Sequence, residues 1–421
     1  MESVDASTGA SSSHRPNSNW AMIDASTGVD SSHRQAMLDA PTGVSSSHRP
    51  NIDASTGVSS SHRPNWVMLD SHVRLNYGTT AHLDDCEDTY AESKNSIGEP
   101  VGVWVHTVSP PGTSRLYLLW MKRERYNQRC NSESSGVISR RLSWSYGVEP
   151  RVVSAHGNSI LLQLTPNVGL GARTPDFFVY TIRFHGKPFL FRLPACLKEM
   201  ASDRLSHGGL RHMLTIAHIG LLSFGEQYVV ADLRVLPVEE GHDAVTPLEA
   251  QFCIFRSDSP GGWRLTRPVI RHEKDQDRDL LWWSTDTVVP CDNFLCYVDY
   301  LRGILLGTVL NEDPHLLYIR LPVKVPIGDP TDPELGTRGC PHLLRSVCVT
   351  QGNVLMFVDI VCTTVFVAGN PEPDSSRFAV RVWKLGADYM IWEKMFELQD
   401  YELWSLHGYA IFHMSCQNSL S

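Results

Sequence analysis

The 421-residue sequence predicts an all-β fold, a propeller-like array of antiparallel sheets preceded by a disordered, repetitive N-terminal tail. Three observations carry this. From Trp66 onward, short β-branched and aromatic runs alternate with Gly, Pro, Asn and Asp breaks, the texture of many strands joined by turns. An apolar triplet, an Asp and a large residue recur together at Val229-Val230-Ala231-Asp232-Leu233, Cys296-Tyr297-Val298-Asp299-Tyr300 and Met356-Phe357-Val358-Asp359-Ile360. Helical signal is poor: only residues 195–201 offer a short helix, and Gly208-Gly209 stops its continuation.

Residues 1–64 are a degenerate tandem repeat. Asp5-Ala6-Ser7-Thr8-Gly9 leads to Ser12-Ser13-His14-Arg15-Pro16-Asn17, and the block returns at Asp24, Asp39 and Asp53, with spacings of 19, 15 and 14 residues. Units this short and uneven do not make a packed solenoid. A segment dominated by Ser, Thr, Gly and Pro cannot bury enough apolar area to offset its chain entropy, so a disordered tail is expected. Each copy trails into an apolar remnant: Trp20-Ala21-Met22-Ile23, Met37-Leu38, Ile52 and finally Trp66-Val67-Met68-Leu69-Asp70. The pattern is that of a domain's opening sequence duplicated upstream. The His-Arg pairs at His14, His33, His48 and His62 have spacings that fix no metal geometry.

Residues 65–421 are expected to form the folded domain. Residues 101–105 and 116–121 flank the break Ser109-Pro110-Pro111-Gly112. Residues 177–184 and 189–193 flank His185-Gly186-Lys187-Pro188 as a hairpin. Phe378, Val380 and Val382 alternate with Ala379, Arg381 and Trp383, which predicts the first set facing inward and Arg381 facing out. Gly386-Ala387-Asp388 then turns the chain into residues 390–396.

The aspartates of the recurring unit lie 67 and 60 residues apart. The first and third units are each followed by a hairpin carrying tryptophan, Trp263 in one and Trp383 with Trp392 in the other. This recurrence suggests radially repeated four-stranded sheets, in which each sheet buries its faces against two neighbours. A pair of β-sandwiches is the rival architecture.

Several segments resemble a known family. They are the domain opening Asn65-Trp66-Val67-Met68-Leu69-Asp70, Val108-Ser109-Pro110-Pro111-Gly112, and the run Leu281-Trp282-Trp283-Ser284-Thr285-Asp286-Thr287-Val288-Val289. The most specific is Val298-Asp299-Tyr300-Leu301-Arg302-Gly303-Ile304-Leu305-Leu306, followed by Leu317-Tyr318-Ile319-Arg320-Leu321-Pro322. These are similar to the plant domain of unknown function 1618 family, expanded in grasses, from Trp66 to the C-terminus. The resemblance implies a plant protein with no established biochemical activity, related in style to the propeller-like domains of F-box-associated proteins. It carries the family-motif positions Trp66, Asp70, Trp283, Val298, Arg302, Gly303, Leu321 and Pro322. The repeated tail departs from the family pattern, and family members continue with more strand-forming sequence past the position of Ser421. A truncated gene model is therefore expected, one that leaves an exposed sheet edge. No F-box-like helical segment precedes the domain.

No motif for catalysis, cofactor or metal emerges. Gly169-Leu170-Gly171-Ala172-Arg173-Thr174 lacks the third glycine and following helix of a phosphate loop. His207-Gly208-Gly209 has no Gly-x-Ser-x-Gly nucleophile elbow to serve. Cys340-Pro341-His342 with Cys348, and Cys291 with Cys296, lack the paired spacing of structural zinc, and buried thiols acting as small hydrophobes are expected. Asp84, Asp85, Glu87 and Asp88 read as a solvated loop. The run Arg271-His272-Glu273-Lys274-Asp275-Gln276-Asp277-Arg278-Asp279 reads as a plain exposed loop. Asp232, Asp299 and Asp359 are expected to cap turns or accept backbone amides at strand ends. Their alternative role is an enzyme's carboxylate site in a central channel.

A net charge of −9 and a pI near 6.0 give no reason to expect general nucleic-acid or anionic-membrane binding. The basic, aromatic-bearing stretch from Arg115 to Arg151 is the one alternative for a nucleic-acid binder, and it reads first as a solvated hairpin. The apolar runs 214–224 and 354–369 are broken by His218 and Asp359, so no membrane span is expected. There is no basic, apolar leader, no CxxC pair among ten cysteines and no Asn-x-Ser/Thr acceptor, which points to cytoplasm or nucleus. The expected function is a non-catalytic interaction module whose loops bind a protein partner.

Overall fold

The structure, a computed structural model, describes residues 21–24, 66–76, 87–109, 112–120, 150–165, 175–183, 186–196, 214–237, 248–259, 261–325, 338–350, 352–364, 376–389 and 391–405. Their strands form five sheets in chain order. The first contains β1 (Ala21–Asp24), β2 (Trp66–Leu69), β3 (Arg74–Asn76), β4 (Ala91–Lys94), β5 (Pro100–His106) and β6 (Thr113–Trp120). Its order is β1-β2-β6-β5-β4, with β3 also on β6. Four consecutive antiparallel strands make the second sheet: β7 (Arg151–His156), β8 (Ser159–Leu164), β9 (Asp176–Thr181) and β10 (Phe189–Arg192). The third has the same meander in β11 (Ile219–Phe224), β12 (Gln227–Pro237), β13 (Leu248–Arg256) and β14 (Arg264–Thr266).

In the fourth sheet, β15 (Ile270–Arg271) adds in parallel to the outer strand of β16 (Thr287–Cys291), β17 (Phe294–Asp299), β18 (Gly303–Gly307) and β19 (Leu316–Arg320). The fifth consists of β20 (Arg345–Thr350), β21 (Val354–Thr364), β22 (Ser376–Leu385) and β23 (Trp392–Gln399).

Side-chain alternation explains how the sheets stack. Ile160, Leu162, Phe178 and Tyr180 join Val101, Val103, Leu116 and Leu118 of the first sheet in one core. The intervening Leu161, Phe177 and Val179 pack the other way, against Ile219, Leu221, Val230 and Trp263 of the third sheet. Leu222, Val229 and Phe252 meet Leu295, Tyr297 and Leu305, and Cys296, Val298, Ile304 and Leu306 meet Val347, Leu355, Phe357 and Leu385.

The middle sheets are therefore buried on both faces, which is why β8, β9 and β18 are apolar nearly throughout. A sandwich sheet would bury one face only. The first strands run side by side, with β11 against β7 and β16, and β16 against β20. Gly220 of β11 permits this approach, since a Cβ there would stand 2.5 Å from Val288 of β16. Among the described residues, no fifth cluster joins the last sheet to the first.

The hairpin expected at residues 177–193 forms as β9 with β10, and the two tryptophan hairpins as β13 with β14 and β22 with β23; β5 and β6 pair across the break at residues 109–112. The facing of β22 differs from expectation. Trp383, opposite Phe357, and Leu385 point into the core shared with the fourth sheet. Phe378, Val380 and Val382 lie on the opposite face, with Phe378 edge-on to Trp404. A period of two separates two faces but does not say which one meets the neighbour.

Residues 271–279 are not a plain exposed loop either. Lys274–Gln276 form a 3-10 turn with a capping box from Glu273, and Asp277–Leu281 form a short helix that buries Asp279 and Leu280. Within the expected disordered tail, Ala21–Asp24 form β1, antiparallel to β2; the rest of residues 1–64 lie outside the described residues. So do most of residues 195–201 and of the stretch between Arg115 and Arg151, and all of Asp84, Asp85, residues 169–174 and residues 207–209. Asp88 is exposed, in the 3-10 turn Glu87–Thr89. Among the described residues, no helix is long and apolar enough to cross a membrane.

Candidate functional site

The repeated aspartates occupy matching places. Asp232 in β12, Asp299 at the end of β17 and Asp359 in β21 each sit in the second meander strand of their sheet, and all three are buried. Each is held by groups leading into the strand beside it. Asp232 Oδ1 accepts from Thr215 N at 3.3 Å, and its Oδ2 lies 3.7 Å from Arg234 Nε. Asp299 Oδ2 accepts from Ser284 N at 3.0 Å and Oδ1 from Leu301 N at 2.9 Å. Asp359 Oδ1 accepts from Arg345 Nε at 2.9 Å.

The residue after the aspartate completes the tie. Leu233 N donates to His218 O at 3.1 Å and Ile360 N to Leu344 O at 2.8 Å. In the fourth sheet, Tyr300 N donates instead to Asp286 Oδ2 at 2.8 Å. The carboxylates thus close strand ends, each in its own sheet.

The fourth sheet builds the densest polar cluster. Asp299 and Gly303 bracket the β17–β18 turn, closed by Arg302 N donating to Asp299 O at 3.0 Å. Arg302 is fully buried, with Nη1 3.6 Å from Asp299 Oδ2. Arg338 Nη2 donates to Asp299 Oδ1 at 2.9 Å, Asp286 Oδ2 at 2.6 Å and Ser284 O at 2.9 Å. On the neighbouring strand, Arg320 donates to Asp279 Oδ2 at 2.6 Å and to Asp275 Oδ2 at 3.0 Å, and Tyr318 Oη donates to Asp279 Oδ2 at 3.2 Å.

Three buried or half-buried carboxylates, Asp279, Asp286 and Asp299, therefore face three guanidiniums, Arg302, Arg320 and Arg338. Burial lowers the Arg302 pKa, partly offset by Asp299. Burial opposes the Arg338 charge as well, but Asp299 and Asp286 outweigh it and hold the pKa raised. Asp286 is raised by burial, against the pull of Arg338. Asp275 adds a fourth, exposed carboxylate on Arg320, and the Asp299 oxygens are occupied by amides and arginines. This chemistry suits a clamp.

Trp283, Val298, Arg302, Gly303, Leu321 and Pro322, six of the positions the resemblance carries, lie in or around it. Val298 and Leu321 are buried in the core shared with the fifth sheet, and Leu321 N donates to Arg302 O at 3.0 Å. Pro322 follows, half-buried. Gly303 lies against Tyr318, whose ring meets Trp283 edge-on at 6.1 Å. Trp283 Nε1 donates to Thr285 Oγ1 at 3.0 Å. Trp66 and Asp70 are remote, in the first sheet: Trp66 begins β2, and Asp70 Oδ1 accepts from His72 N at 3.0 Å.

Sequence reasoning did not single out Arg338, Asp286, Asp279 or Arg345 as partners. The available signal was Asp286 within the quoted run 281–289; Arg338 carried none. The cysteines divide. Cys291 and Cys296 are buried between the fourth and fifth sheets, whereas Cys340 and Cys348 are exposed. Cys348 lies in β20 beside the inward Val347, on the face turned from the fourth sheet. Among the described residues, no group of three or more His, Cys, Asp or Glu is placed to hold a metal ion.

Residues 297–420 match the model of a family described as a protein of unknown function, DUF1618. The match contains Val298, Arg302, Gly303, Leu321 and Pro322, while Trp66, Asp70 and Trp283 precede it. No curated protein and no solved structure matches the chain.

Proposed function

With residues 297–420 carrying the DUF1618 family match as premise, we propose that this chain is a non-catalytic protein-interaction module whose loops bind a protein partner. One observation carries the reading: Asp232, Asp299 and Asp359 are each engaged by amides or arginines of their own sheet. A general acid or base needs a carboxyl within reach of a substrate proton, and these groups are already occupied in holding strands together. What a stacked array offers instead is its rims, where loops are carried on rigid sheets. The reading places the protein in cytoplasm or nucleus, where exposed free thiols such as Cys340, Cys348 and Cys362 stay reduced.

Affinity capture with the full chain as bait, from extracts of several plant tissues, tests it; plant material follows from the resemblance. A partner recovered reproducibly, and lost when a rim loop is replaced, is the expected result. Failure to enrich any protein in any tissue counts against the module. A fluorescent fusion confined to an organelle or secreted would overturn the compartment.

A further inference from the structure

β1 and β2 are two copies of one motif. Trp20-Ala21-Met22-Ile23-Asp24 aligns with Trp66-Val67-Met68-Leu69-Asp70, and Ala36-Met37-Leu38-Asp39 repeats the same residues between them. The copies pair antiparallel with Ala21 opposite Leu69, Met22 opposite Met68 and Ile23 opposite Val67. The register is therefore centred on the equivalent residue of each copy, Met22 on Met68. An antiparallel pair centred in this way has local two-fold symmetry, the symmetry by which identical segments of two chains join. The second edge of β2 is taken by β6 in parallel, so β2 has one slot, and the sequence holds more copies of the motif than the slot can accept.

We propose that the edge of β2 on which β1 lies is a strand-accepting site for the chain's own repeated motif, and that a second copy of this chain can fill it in place of β1. Backbone hydrogen bonds supply the attraction, as in other strand additions. The duplicated motif supplies the specificity, since a one-residue slip would exchange the faces of the added strand. The upstream repeats then act as pairing segments for self-association. This does not depend on the interaction-module reading, which concerns the loops.

The test uses a tagged full chain carrying Ile23→Pro, Leu38→Pro and Ile52→Pro, the equivalent residue of each copy, Ile23 being the one whose amide faces Val67 of β2. Proline removes a ladder amide from each upstream copy and leaves β2 intact. This chain should capture untagged wild-type protein, and excess of a peptide with the sequence of residues 18–26 should abolish capture, whereas a scrambled peptide should not. The triple variant should fail to capture itself. No capture of wild type, capture unaffected by the peptide, or equal capture of the variant by itself would each overturn the proposal. If the variant loses its near-UV dichroism, the wild-type chain carries the test with a photo-crosslinking version of the same peptide. Labelling at residues 66–69 supports the site, and its absence there refutes it.

Discussion

Gly303 has no room for a side chain. A Cβ there would collide with the Tyr318 ring and stand 2.6 Å from the carbonyl oxygen of Ile319. Both obstacles are themselves fixed, the carbonyl in a strand and the ring between Trp283 and Asp279. Gly303→Ala should therefore destabilise the chain by about 1–3 kcal/mol, the usual cost of overpacking, read as a lowered urea midpoint with unchanged slope. An unaltered midpoint would show that the β17–β18 turn yields easily.

Asp286 bears on pH. Burial raises its pKa in the fold, and unfolding returns it to the ordinary carboxylate range. Its contribution to stability is thus fully present below that ordinary range and is lost as pH rises through the raised value. Relative to Asp286→Asn, which does not titrate, the wild type should lose stability as pH rises from below the ordinary carboxylate range, about pH 4, through the raised value. Urea midpoints of the two chains across that span decide it, and a difference that stays flat or moves the opposite way refutes the sign. The repeated aspartates were legible as strand-end acceptors because a buried Asp after an apolar triplet must find donors. Arg338 was not, because a lone Arg in sequence says nothing about which carboxylate it will meet.

The tryptophan hairpins gain a physical role at the level of strands. Trp263, just ahead of β14, donates from Nε1 to Pro194 O at 2.6 Å, just beyond the last strand of the preceding sheet. Trp392, which opens β23, donates to Arg320 O at 2.9 Å, at the end of the last strand of its own preceding sheet. Equivalent positions thus tie equivalent outer strands, which is why tryptophan recurred with the aspartates. Trp392→Phe keeps a ring against Phe357 but leaves the Arg320 carbonyl without this donor. It should cost about 1–3 kcal/mol, and Trp263→Phe a similar amount. A cost below about 0.5 kcal/mol for both would reduce these bonds to incidental contacts. Strand positions were readable from β-branched runs and turn residues. The facing of β22 was not, because both its faces carry apolar residues and only the position of the fourth sheet chooses between them.

Stacked in chain order, the five sheets share four cores, so their situations differ. The second, third and fourth sheets each lie between two cores, whereas the fifth has one among the described residues. Its other face carries Met356, Val358, Ile360 and Val380, all half-exposed, and its last strand leaves Met395 and Phe396 about half accessible. Local opening costs less where fewer apolar contacts must be broken. Amide exchange should therefore be graded along the array: fastest in β23, intermediate in β20 and β21, and slowest in β8, β17 and β18, whose side chains are nearly all buried. The gradient follows from the repeat, since a sheet that buries its faces only against neighbours depends on having both. Exchange measured by mass spectrometry on the full chain would show it directly. If β23 were protected as strongly as β18, its exposed face would have to be covered in solution, and stability would not be shared out sheet by sheet.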